Sequence, residues 1–560
     1  MAYCLISETN DCKNCYRCLR KCPIKSVSFV DNESHIIHDD CIYCGKCFLE
    51  CPQNVIKVRD DLAIVKRLIR AGRKVVASIA PSFISYYKEY DIDSFKEIFI
   101  KLGFHAVEET AIGATIVKKA YENMLDDEHD VVISSCCHTI NLLVQKYYPR
   151  ALPYLADVLS PMLAHGKDIK ERYGSDTKVV FIGPCISKKD ETDKNHEYVD
   201  VALTFEELED WFTEEDIRIE PRKEKDIESK SRARLFPTCG GVLATMNCDN
   251  KDYEYVAIDG IDECKEVLQD IINGTIHKCF IEMSACYGSC INGPLVQKRK
   301  HSIVNNKIAI KNNAGKEDFD GYAIKPSDIQ KPFSKIAIRH AIPSEEAITR
   351  TLIDMGKETK EKQLNCGSCG YSTCREKAIA IIQGKAVKEM CLPFLMEKAQ
   401  SFSDKIVANT PDGLMVLNEN LDIQLINNSM CRIVGIPNSK YVLNKNITTI
   451  MDPVNFCLAL AGEKIYNKKT YLSEYKKYVE NTIVYDEKFH VLICIIRDIT
   501  NSELSLKNRE ETLKKSIEIT DNVIAQNMRA VQEIASLLGE SAAATKVALS
   551  SLKETLKNDK

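Results

Sequence analysis

The sequence predicts a multidomain protein that joins α/β and α+β segments, and three observations carry this prediction. The chain has 560 residues, which corresponds to about four domains of ordinary size. Its cysteines are concentrated at the front, after short β-branched runs in the centre, and in one further cluster. A seven-residue apolar repeat marks the last segment. These changes of pattern predict the divisions 1–60, 61–345, 350–396, 397–500 and 501–560.

The composition is that of a folded protein, with 28% charged and 44% hydrophobic residues. A net charge of −5 argues against a polycation that coats nucleic acid. The opening residues MAYCLISETNDC lack the basic-then-apolar layout of a secretory signal, and no apolar run is long enough to cross a bilayer. We therefore expect a cytoplasmic protein that binds neither nucleic acid nor membrane. In such a protein, 25 cysteines are more typical of metal ligands than of disulfides.

The front of the chain contains one cysteine pattern twice, C-x2-C-x2-C-x3-C-P. In this pattern the fourth cysteine of each run ligates the cluster of the other run. The spacing therefore predicts two four-iron clusters, one held by Cys12, Cys15, Cys18 and Cys51 and the other by Cys41, Cys44, Cys47 and Cys22. A pair of zinc sites is the alternative, which the doubled spacing with both prolines disfavours. The segment resembles a bacterial two-cluster ferredoxin, which implies one-electron relay.

The central segment alternates helical stretches such as Leu62–Ala71 and Ile112–Met124 with short β-branched runs, which is typical of α/β architecture. The runs are Val75–Ile79, Val131–Ile133, Val179–Ile182 and Cys279–Met283. Each run leads into small residues or cysteines: Ala80-Pro81-Ser82, Cys136-Cys137, Cys185, and Cys286 with Cys290. Sites in open α/β sheets form outside the carboxyl ends of strands. We therefore expect these residues to meet in one place.

Three of these segments, SSCCHT, GPCISKKDE and EMSACYGSCINGP, resemble the signature motifs of iron-only (FeFe) hydrogenases, and TCGGVLAT resembles a further family segment. The resemblance implies an H-cluster, which is a four-iron cubane joined to a two-iron subsite with carbon monoxide, cyanide and a dithiolate amine. Its implied ligands are Cys137, Cys185, Cys286 and Cys290, of which Cys290 bridges to the two-iron subsite.

The same resemblance implies roles for the surrounding residues. Lys188 would donate to one cyanide, and Ala80, Pro81 and Ser82 would line the other. Cys136 would carry protons between the amine and solvent, and Glu191 is the acid retained in the second motif. The implied reaction is reversible heterolytic cleavage of H2, with electrons leaving through the ferredoxin-like clusters.

The chain departs from the catalytic members of that family in several positions. Gly183 and Ser284 stand where those members usually have methionine. Of two glutamates in their acidic relay, the first aligns with Glu109 and the second with Ile112. Because side chains around a metal site tune its potential, and because the relay is shortened, we expect an assembled site with low turnover.

A second iron–sulfur segment has the spacing Cys366-x2-Cys369-x4-Cys374-x16-Cys391. It resembles a small four-iron domain with the pattern C-G-x-C-G-x-x-x-C…C, and zinc is the alternative occupant. The stretch Ala378–Val387 is predicted to be a helix that returns Cys391 to the cluster.

Residues 397–500 resemble a PAS domain, and residues after 500 are predicted to form a coiled-coil helix. The PAS resemblance lies in Ile423–Ile426, Val491–Ile496 and a closing Asp498-Ile499-Thr500, which in that family launches a signalling helix. In the tail, apolar residues recur every seven positions at Ile517, Ile524, Val531 and Leu538. A single amphipathic helix packed on its own protein is the alternative. No histidine in this helix could accept phosphate, so we expect the signal to leave by contact with another protein.

Three functions fit these patterns. A hydrogen-sensing FeFe hydrogenase is favoured by the PAS-like segment, the helix and the altered surroundings of the H-cluster. A metabolic ferredoxin-dependent hydrogenase is the alternative. A redox regulator with an inactive site is disfavoured, because all cluster ligands and Lys188 are present. We expect H2 and protons as substrates, the family's maturation proteins, a signalling protein and a ferredoxin-type electron carrier as partners, and a homodimer.

Overall fold

The computed structural model describes residues 3–8, 11–30, 33–87, 90–125, 128–217, 230–299, 302–338, 343–505, 524, 531 and 545–550. The chain forms two compact units, Met1–Met390 and Cys391–Lys560. None of the helices in the described ranges combines the length and the apolar character needed to cross a lipid bilayer.

The front of the first unit contains the same local structure twice. Helix α1 (Arg17–Lys21) carries Cys18, and helix α2 (Lys46–Glu50) carries Cys47. Each helix is entered through a residue with positive φ, Tyr16 at +55° and Gly45 at +73°. The repeated spacing therefore folds as a repeated loop and helix. Four short strands complete the segment as two antiparallel pairs, β1 with β4 and β2 with β3: β1 (Leu5–Ser7), β2 (Val27–Val30), β3 (Glu33–Ile36) and β4 (Ile56–Val58).

The central segment is α/β, as its alternating pattern predicts. Its strands are β5 (Val75–Ile79), β6 (Ala106–Glu109), β7 (Val131–Ile133), β8 (Lys178–Gly183), β9 (Val201–Thr204), β10 (Glu254–Asp259) and β11 (Cys279–Ser284). Its helices are α3 (Leu62–Arg70), α4 (Phe83–Tyr86), α5 (Ile92–Lys101), α6 (Ala111–Asn123), α7 (His138–Tyr147), α8 (Pro161–Tyr173), α9 (Ser187–Asp193), α10 (Phe205–Glu214), α11 (Gly241–Thr245), α12 (Ile261–Asn273), α13 (Pro294–Lys298) and α14 (Ile303–Asn313). The four predicted strands are present, with ends that agree to within one residue.

These strands form two parallel sheets, which the sequence did not separate. One has the order β6-β5-β8-β9 and the other the order β10-β11-β7. Every residue of β5 and of β7 is buried, as expected where helices cover both faces of a parallel sheet. The strands that precede the predicted ligands are therefore divided between two sheets, with β8 in the first and β7 and β11 in the second.

Two helices end the first unit, α15 (Glu345–Asp354) and α16 (Cys374–Ile382). Helix α16 begins at a predicted ligand, Cys374, and the side chain of Thr373 accepts a hydrogen bond from the backbone N–H of Glu376. This N-cap fixes the point at which the cysteine loop turns into helix.

The second unit opens with α17 (Leu392–Asn409) and continues with a five-stranded antiparallel sheet of order β13-β12-β16-β15-β14. Its elements are β12 (Gly413–Asn418), β13 (Ile423–Ile426), α18 (Asn428–Ile433), α19 (Val454–Leu460), β14 (Ile465–Leu472), β15 (Lys477–Asp486), β16 (Val491–Asp498) and α20 (Thr500–Ser505). The Asp498 carboxylate accepts hydrogen bonds from the backbone N–H and hydroxyl of Thr500, at 3.1 and 2.5 Å. Helix α20 therefore starts at the predicted triplet. Most of the predicted coiled coil lies outside the described residues.

Candidate metal centres

The predicted cubane ligands lie just beyond the ends of three strands. Cys137 follows β7 and caps α7, and Cys185 follows β8. Cys286 follows β11, and Cys290 lies in the short helical turn Ser289–Asn292. Because β8 belongs to a different sheet from β7 and β11, these thiols approach one another from two sheets.

The charges of these four thiols act on one another. Burial raises the pKa of Cys286, and the negative charges of Cys185, Cys137 and Cys290 raise it further. Burial also raises the pKa of Cys290, again assisted by Cys185 and Cys137. An added β-carbon at Gly293 would lie 3.6 Å from the Pro184 carbonyl, 3.8 Å from the Cys286 sulfur and 4.0 Å from the Cys290 carbonyl, so the loops that carry Cys185, Cys286 and Cys290 meet. Lys188 joins them to the Cys136–Cys137 segment through its hydrogen bond to the Cys136 carbonyl.

Two further observations fit an H-cluster at this position. Cys290 is an exposed residue, so part of it is open to a ligand. Ser82 is 1% exposed, and its hydroxyl has no hydrogen-bond partner among the described residues. Its neighbour Ala80 lies against Gly183, where an added β-carbon would stand 3.1 Å from that of Ala80. A buried hydroxyl without an acceptor is costly, and a cyanide nitrogen would supply one.

Helix α9 holds Lys188 beside the same thiols. The ammonium of Lys188 donates to the Cys136 carbonyl at 3.2 Å and to the Glu191 carboxylate at 2.5 Å. Burial acts to lower the pKa of Lys188, but the charges of Glu191, Cys185 and Cys137 outweigh it and leave this pKa raised. Lys188 is therefore a partly buried cation positioned to balance negative charge at this site.

Cys136 has a partner that the sequence did not indicate. The hydroxyl of Tyr121, on α6, lies 3.2 Å from the Cys136 sulfur and accepts a hydrogen bond from the Ser135 N–H at 2.9 Å. Burial raises the pKa of Cys136 to about 12, so the thiol keeps its proton at neutral pH. Tyr121 lies in an ordinary helical stretch, and only the packing of α6 against the strand end reveals it.

Glu282, on β11, is a second residue near Cys136 that sequence reasoning missed. Its carboxylate accepts backbone hydrogen bonds from Gly240 at 3.0 Å and from Leu243 at 3.1 Å. Burial raises the pKa of Glu282 to about 7 although these hydrogen bonds oppose the shift, and its charge acts on Cys136. A carboxyl with this pKa both takes up and releases protons at neutral pH. The sequence offered one signal for Glu282, because this residue opens the segment EMSACYGSCINGP.

The departures from the hydrogenase pattern have physical counterparts. Glu109 forms a buried ion pair in which the guanidinium of Arg234 engages both carboxylate oxygens, one at 2.7 Å. Both oxygens of Glu109 are therefore held by this cation. At Gly183 an added β-carbon would lie 2.6 Å from the ring of Phe181, so this phenylalanine fills the space that a methionine at position 183 would need.

The cysteines at the front divide as their spacing predicts. A small cavity is lined by Cys22, Cys41, Cys44 and Cys47 together with apolar residues. Burial raises the pKa of Cys18 to about 12, and the charges that add to this effect are those of Cys15, Cys51 and Cys12. The fourth cysteine of each run thus lies with the other run. Backbone N–H groups also donate to sulfur, from Ser26 to Cys22 and from Tyr43 to Cys41, both at 3.3 Å.

The front segment also contacts the central thiols. The charge of Cys44 contributes to the raised pKa of Cys286, after burial and the nearer thiols. At Gly45 an added β-carbon would lie 2.8 Å from both Ile186 and Pro294, which belong to the second and third hydrogenase-like motifs. The loop of the second front set therefore packs directly on the loops that carry the central cysteines.

The third cysteine set is more open. Cys366 is exposed, Cys369 is buried and Cys374 begins α16. Hydrogen bonding with Ser368, whose hydroxyl lies 3.1 Å from the sulfur, lowers the pKa of Cys366. Cys391 is buried and caps α17 at the start of the second unit. Within the described ranges no three or more histidine, cysteine, aspartate or glutamate side chains are arranged around a single-ion position.

Comparison with known families follows the same divisions. Residues 73–294 match the family "Iron only hydrogenase large subunit, C-terminal domain". Residues 4–52 match "4Fe-4S dicluster domain", and residues 363–393 match "Putative Fe-S cluster". This chain is related to the FeFe hydrogenases. The matched families also make it an iron–sulfur protein, while the individual ligands remain proposals.

Two curated relatives are both 27% identical. Iron hydrogenase 1 of Clostridium pasteurianum aligns over 295 residues, which is 41% of this chain and 51% of the relative. The periplasmic Fe hydrogenase large subunit of Nitratidesulfovibrio vulgaris aligns over 210 residues, which is 29% of this chain and 50% of the relative. The chain thus spans about half the length of the curated relatives it matches.

Similar solved structures include an FeFe hydrogenase studied for oxygen inactivation of its H cluster, with 14% identity, a TM-score of 0.38, and coverage of 50% of this chain and 100% of that chain. A single-residue variant of the FeFe-hydrogenase HydA1 from Chlamydomonas reinhardtii has 17% identity, a TM-score of 0.35, and coverage of 48% and 95%. The PAS domain of an HTR-like protein from Haloarcula marismortui has 21% identity, a TM-score of 0.15, and coverage of 18% and 99%. The PAS resemblance therefore stays a prediction.

Proposed function

We propose that this protein is a hydrogen-sensing FeFe hydrogenase, which cleaves H2 slowly and reversibly and passes the redox change through iron–sulfur clusters to its PAS-like segment. The observation that carries the proposal is the meeting of the loops that carry Cys137, Cys185, Cys286 and Cys290, beside the ammonium of Lys188. A four-thiolate set with an adjacent ammonium suits an iron cubane that bears anionic ligands.

The surrounding residues have distinct tasks in this proposal. When bound, an H-cluster supplies the open iron position and the amine that together split H2. Lys188 and Ser82 would hold its cyanide groups by donating hydrogen bonds, and Cys290 would hold its two-iron part. Cys136 receives and returns the proton, with its thiol oriented by the Tyr121 hydroxyl. Ala80 and Pro81 shape the apolar wall that excludes water, and Glu191 fixes the Lys188 ammonium.

The sensing part of the proposal is supported by three features. Glu109 is engaged by Arg234, so the acidic relay of catalytic relatives is interrupted, and proton transfer should limit turnover. Phe181 occupies the space of a methionine near the site. The second unit ends its sheet at Asp498, which caps the helix leading out of it. A signalling protein, the maturation proteins, a ferredoxin-type carrier and dimerisation all belong to this proposal.

Infrared spectroscopy of the matured protein under titration with H2 tests it. We expect carbonyl and cyanide bands that shift reversibly with H2, together with turnover well below that of a metabolic hydrogenase. Cys248→Ala serves as a control, because Cys248 is an exposed cysteine outside all predicted sets and its loss should leave the infrared bands unchanged. Missing bands in the matured protein would contradict the H-cluster. Bands with fast turnover would instead support the metabolic alternative.

A further inference from the structure

Two polar contacts hold the third cysteine loop and α16 against the front segment. The Lys25 ammonium donates to the Gly370 carbonyl at 2.9 Å and also to the carbonyls of Leu19 and Arg20, each at 3.1 Å. On the other side of α16, Lys385 forms an ion pair with Asp40 at 2.6 Å. The Asp40 carboxylate is almost fully buried, so the pair is poorly screened by solvent.

Backbone contacts make this interface close. The backbone N–H of Phe29, on β2, donates to the carbonyl of Lys385 at 3.1 Å. Gly370 has a φ of +93°, and an added β-carbon there would lie 3.0 Å from the Leu19 side chain. Glycine at 370 is thus required both by its backbone conformation and by the approach of Leu19. The third cysteine loop therefore packs at a defined position on the front segment.

Tyr371 lies between two predicted thiolate sets at this position. Its side chain is 3% exposed, and its hydroxyl has no hydrogen-bond partner among the described residues. Burial raises the pKa of Tyr371. The preceding residue, Gly370, accepts a hydrogen bond from Lys25, whose backbone N–H donates to the Cys22 carbonyl at 3.4 Å, and Tyr371 itself lies two residues after Cys369. A buried O–H donor without an acceptor is costly, and a cluster sulfur at either side would accept its hydrogen bond.

The set that contains Cys22 also contacts the central site from its opposite side. The Lys146 ammonium donates to the Cys41 carbonyl and the Tyr147 hydroxyl to the Asp40 carbonyl, both at 2.7 Å. Both donors belong to α7, which begins directly after Cys137. Asp40 and Cys41 are therefore both hydrogen-bonded to α7, and Asp40 also contacts Lys385.

We propose that the third cysteine loop exchanges electrons with the Cys22–Cys41–Cys44–Cys47 set, and that Tyr371 is the positioning residue between them. This inference rests on the proposed function in that it takes the thiolate sets to hold clusters. Each step moves one electron, so the cluster of one set is oxidised as that of the other is reduced. The front segment is then a junction from which redox change reaches the loop before α17.

The test uses the full chain produced without the maturation proteins, so that four-iron clusters form and the two-iron subsite does not. Each cluster's reduction is followed by electron paramagnetic resonance during a potentiometric titration. Tyr371→Phe removes the donor that favours the more negative, reduced cluster. We expect the reduced-to-oxidised ratio at a fixed potential to fall about threefold in one of the two clusters that Tyr371 lies between, because its single hydroxyl donates one hydrogen bond.

The matched control is Tyr255→Phe, which removes a hydroxyl bonded to the Asn250 carbonyl at 3.2 Å, away from every predicted ligand set. Lys25→Met, with the exposed Lys21→Met as its control, gives a second measurement should Tyr371→Phe not fold. We expect Lys25→Met to make the same two clusters harder to reduce. Wild-type cluster potentials in both Tyr371→Phe and Lys25→Met, or a Lys25→Met shift confined to one cluster, would overturn the junction and leave the H-cluster proposal intact. Absence of all four-iron signals would overturn both.

Discussion

The hydroxyl of Tyr121 lies 3.2 Å from the sulfur of Cys136 and is anchored by the N–H of Ser135 at 2.9 Å. The two residues come from different elements, α6 and the segment after β7. Tyr121 is fully buried, so the side chains packed around it hold its hydroxyl beside Cys136. This contact fixes the direction of the thiol that we propose as proton carrier.

Replacement of that hydroxyl should slow proton transfer without removing the metal centre. In Tyr121→Phe the Cys136 thiol loses its fixed direction, and the Ser135 N–H loses its acceptor, which costs about 1–2 kcal/mol of stability. We expect the rate of H2 oxidation to fall about tenfold, which is less than the loss expected when a proton donor itself is removed. The solvent isotope effect on this rate should increase. Unchanged infrared bands would show that the site is assembled. A variant with the wild-type rate would remove Tyr121 from the proton route.

Glu282 should give the protein a pH dependence near neutrality. Its pKa is raised from the ordinary value of 4.5 to about 7. The folded state therefore binds the proton more tightly than the unfolded state, so stability is highest below about pH 4.5, decreases as pH rises to about 7, and then levels off, for a total of about 3 kcal/mol. Glu282→Gln should lack this dependence, as measured by the thermal midpoint from pH 5 to 8. A wild-type midpoint that does not decline relative to the variant would contradict the raised pKa.

The ion pair of Glu109 with Arg234 should be structural. Glu109→Gln leaves a buried guanidinium with a neutral partner, for which we expect a loss of about 3 kcal/mol in stability. Turnover per assembled site should stay the same if Glu109 acts only through its ion pair with Arg234. The double variant Glu109→Gln with Arg234→Met should recover much of the stability. A selective drop in turnover of Glu109→Gln would return this residue to the relay.

Phe181 should decide whether a methionine fits at position 183. Gly183→Met forces a side chain against the Phe181 ring, and overpacking of this kind costs about 1–3 kcal/mol. Adding Phe181→Ala should restore the space and the yield of folded protein. Thermal midpoints of the single and double variants measure the effect. Equal midpoints for wild type and Gly183→Met would mean that Phe181 does not fill this space.

The fourth cysteine of each front run is predicted to bind the cluster of the other run, and two single variants test this prediction. Cys22→Ala should remove the cluster of Cys41, Cys44 and Cys47, because Cys22 lines their cavity. Cys51→Ala should remove the other cluster, because the charge of Cys51 acts on Cys18. Electron paramagnetic resonance after potentiometric reduction should show the loss of a different signal in each variant. Loss of the same signal in both would contradict the crossing.

Local spacing was sufficient for the cysteines and for the strands that deliver them. Val75–Ile79 and Val131–Ile133 form the predicted strands without change, because short β-branched runs between helical stretches are local signals. The repeated C-P pattern likewise folds as a repeated loop and helix. The PAS-like assignment and the tail depend on short or weak patterns, so they stay predictions.

Contacts between residues distant in the chain were decided only by the tertiary structure. The division of β7, β8 and β11 between two sheets, the carboxyl of Glu282 against α11, and the packing of Gly370 on Leu19 all join segments without a shared local pattern. The amino-acid sequence alone predicted which cysteines bind iron and which strands precede them. The packed fold determined which charges those residues face, because burial and neighbouring charge depend on atoms that only folding brings near.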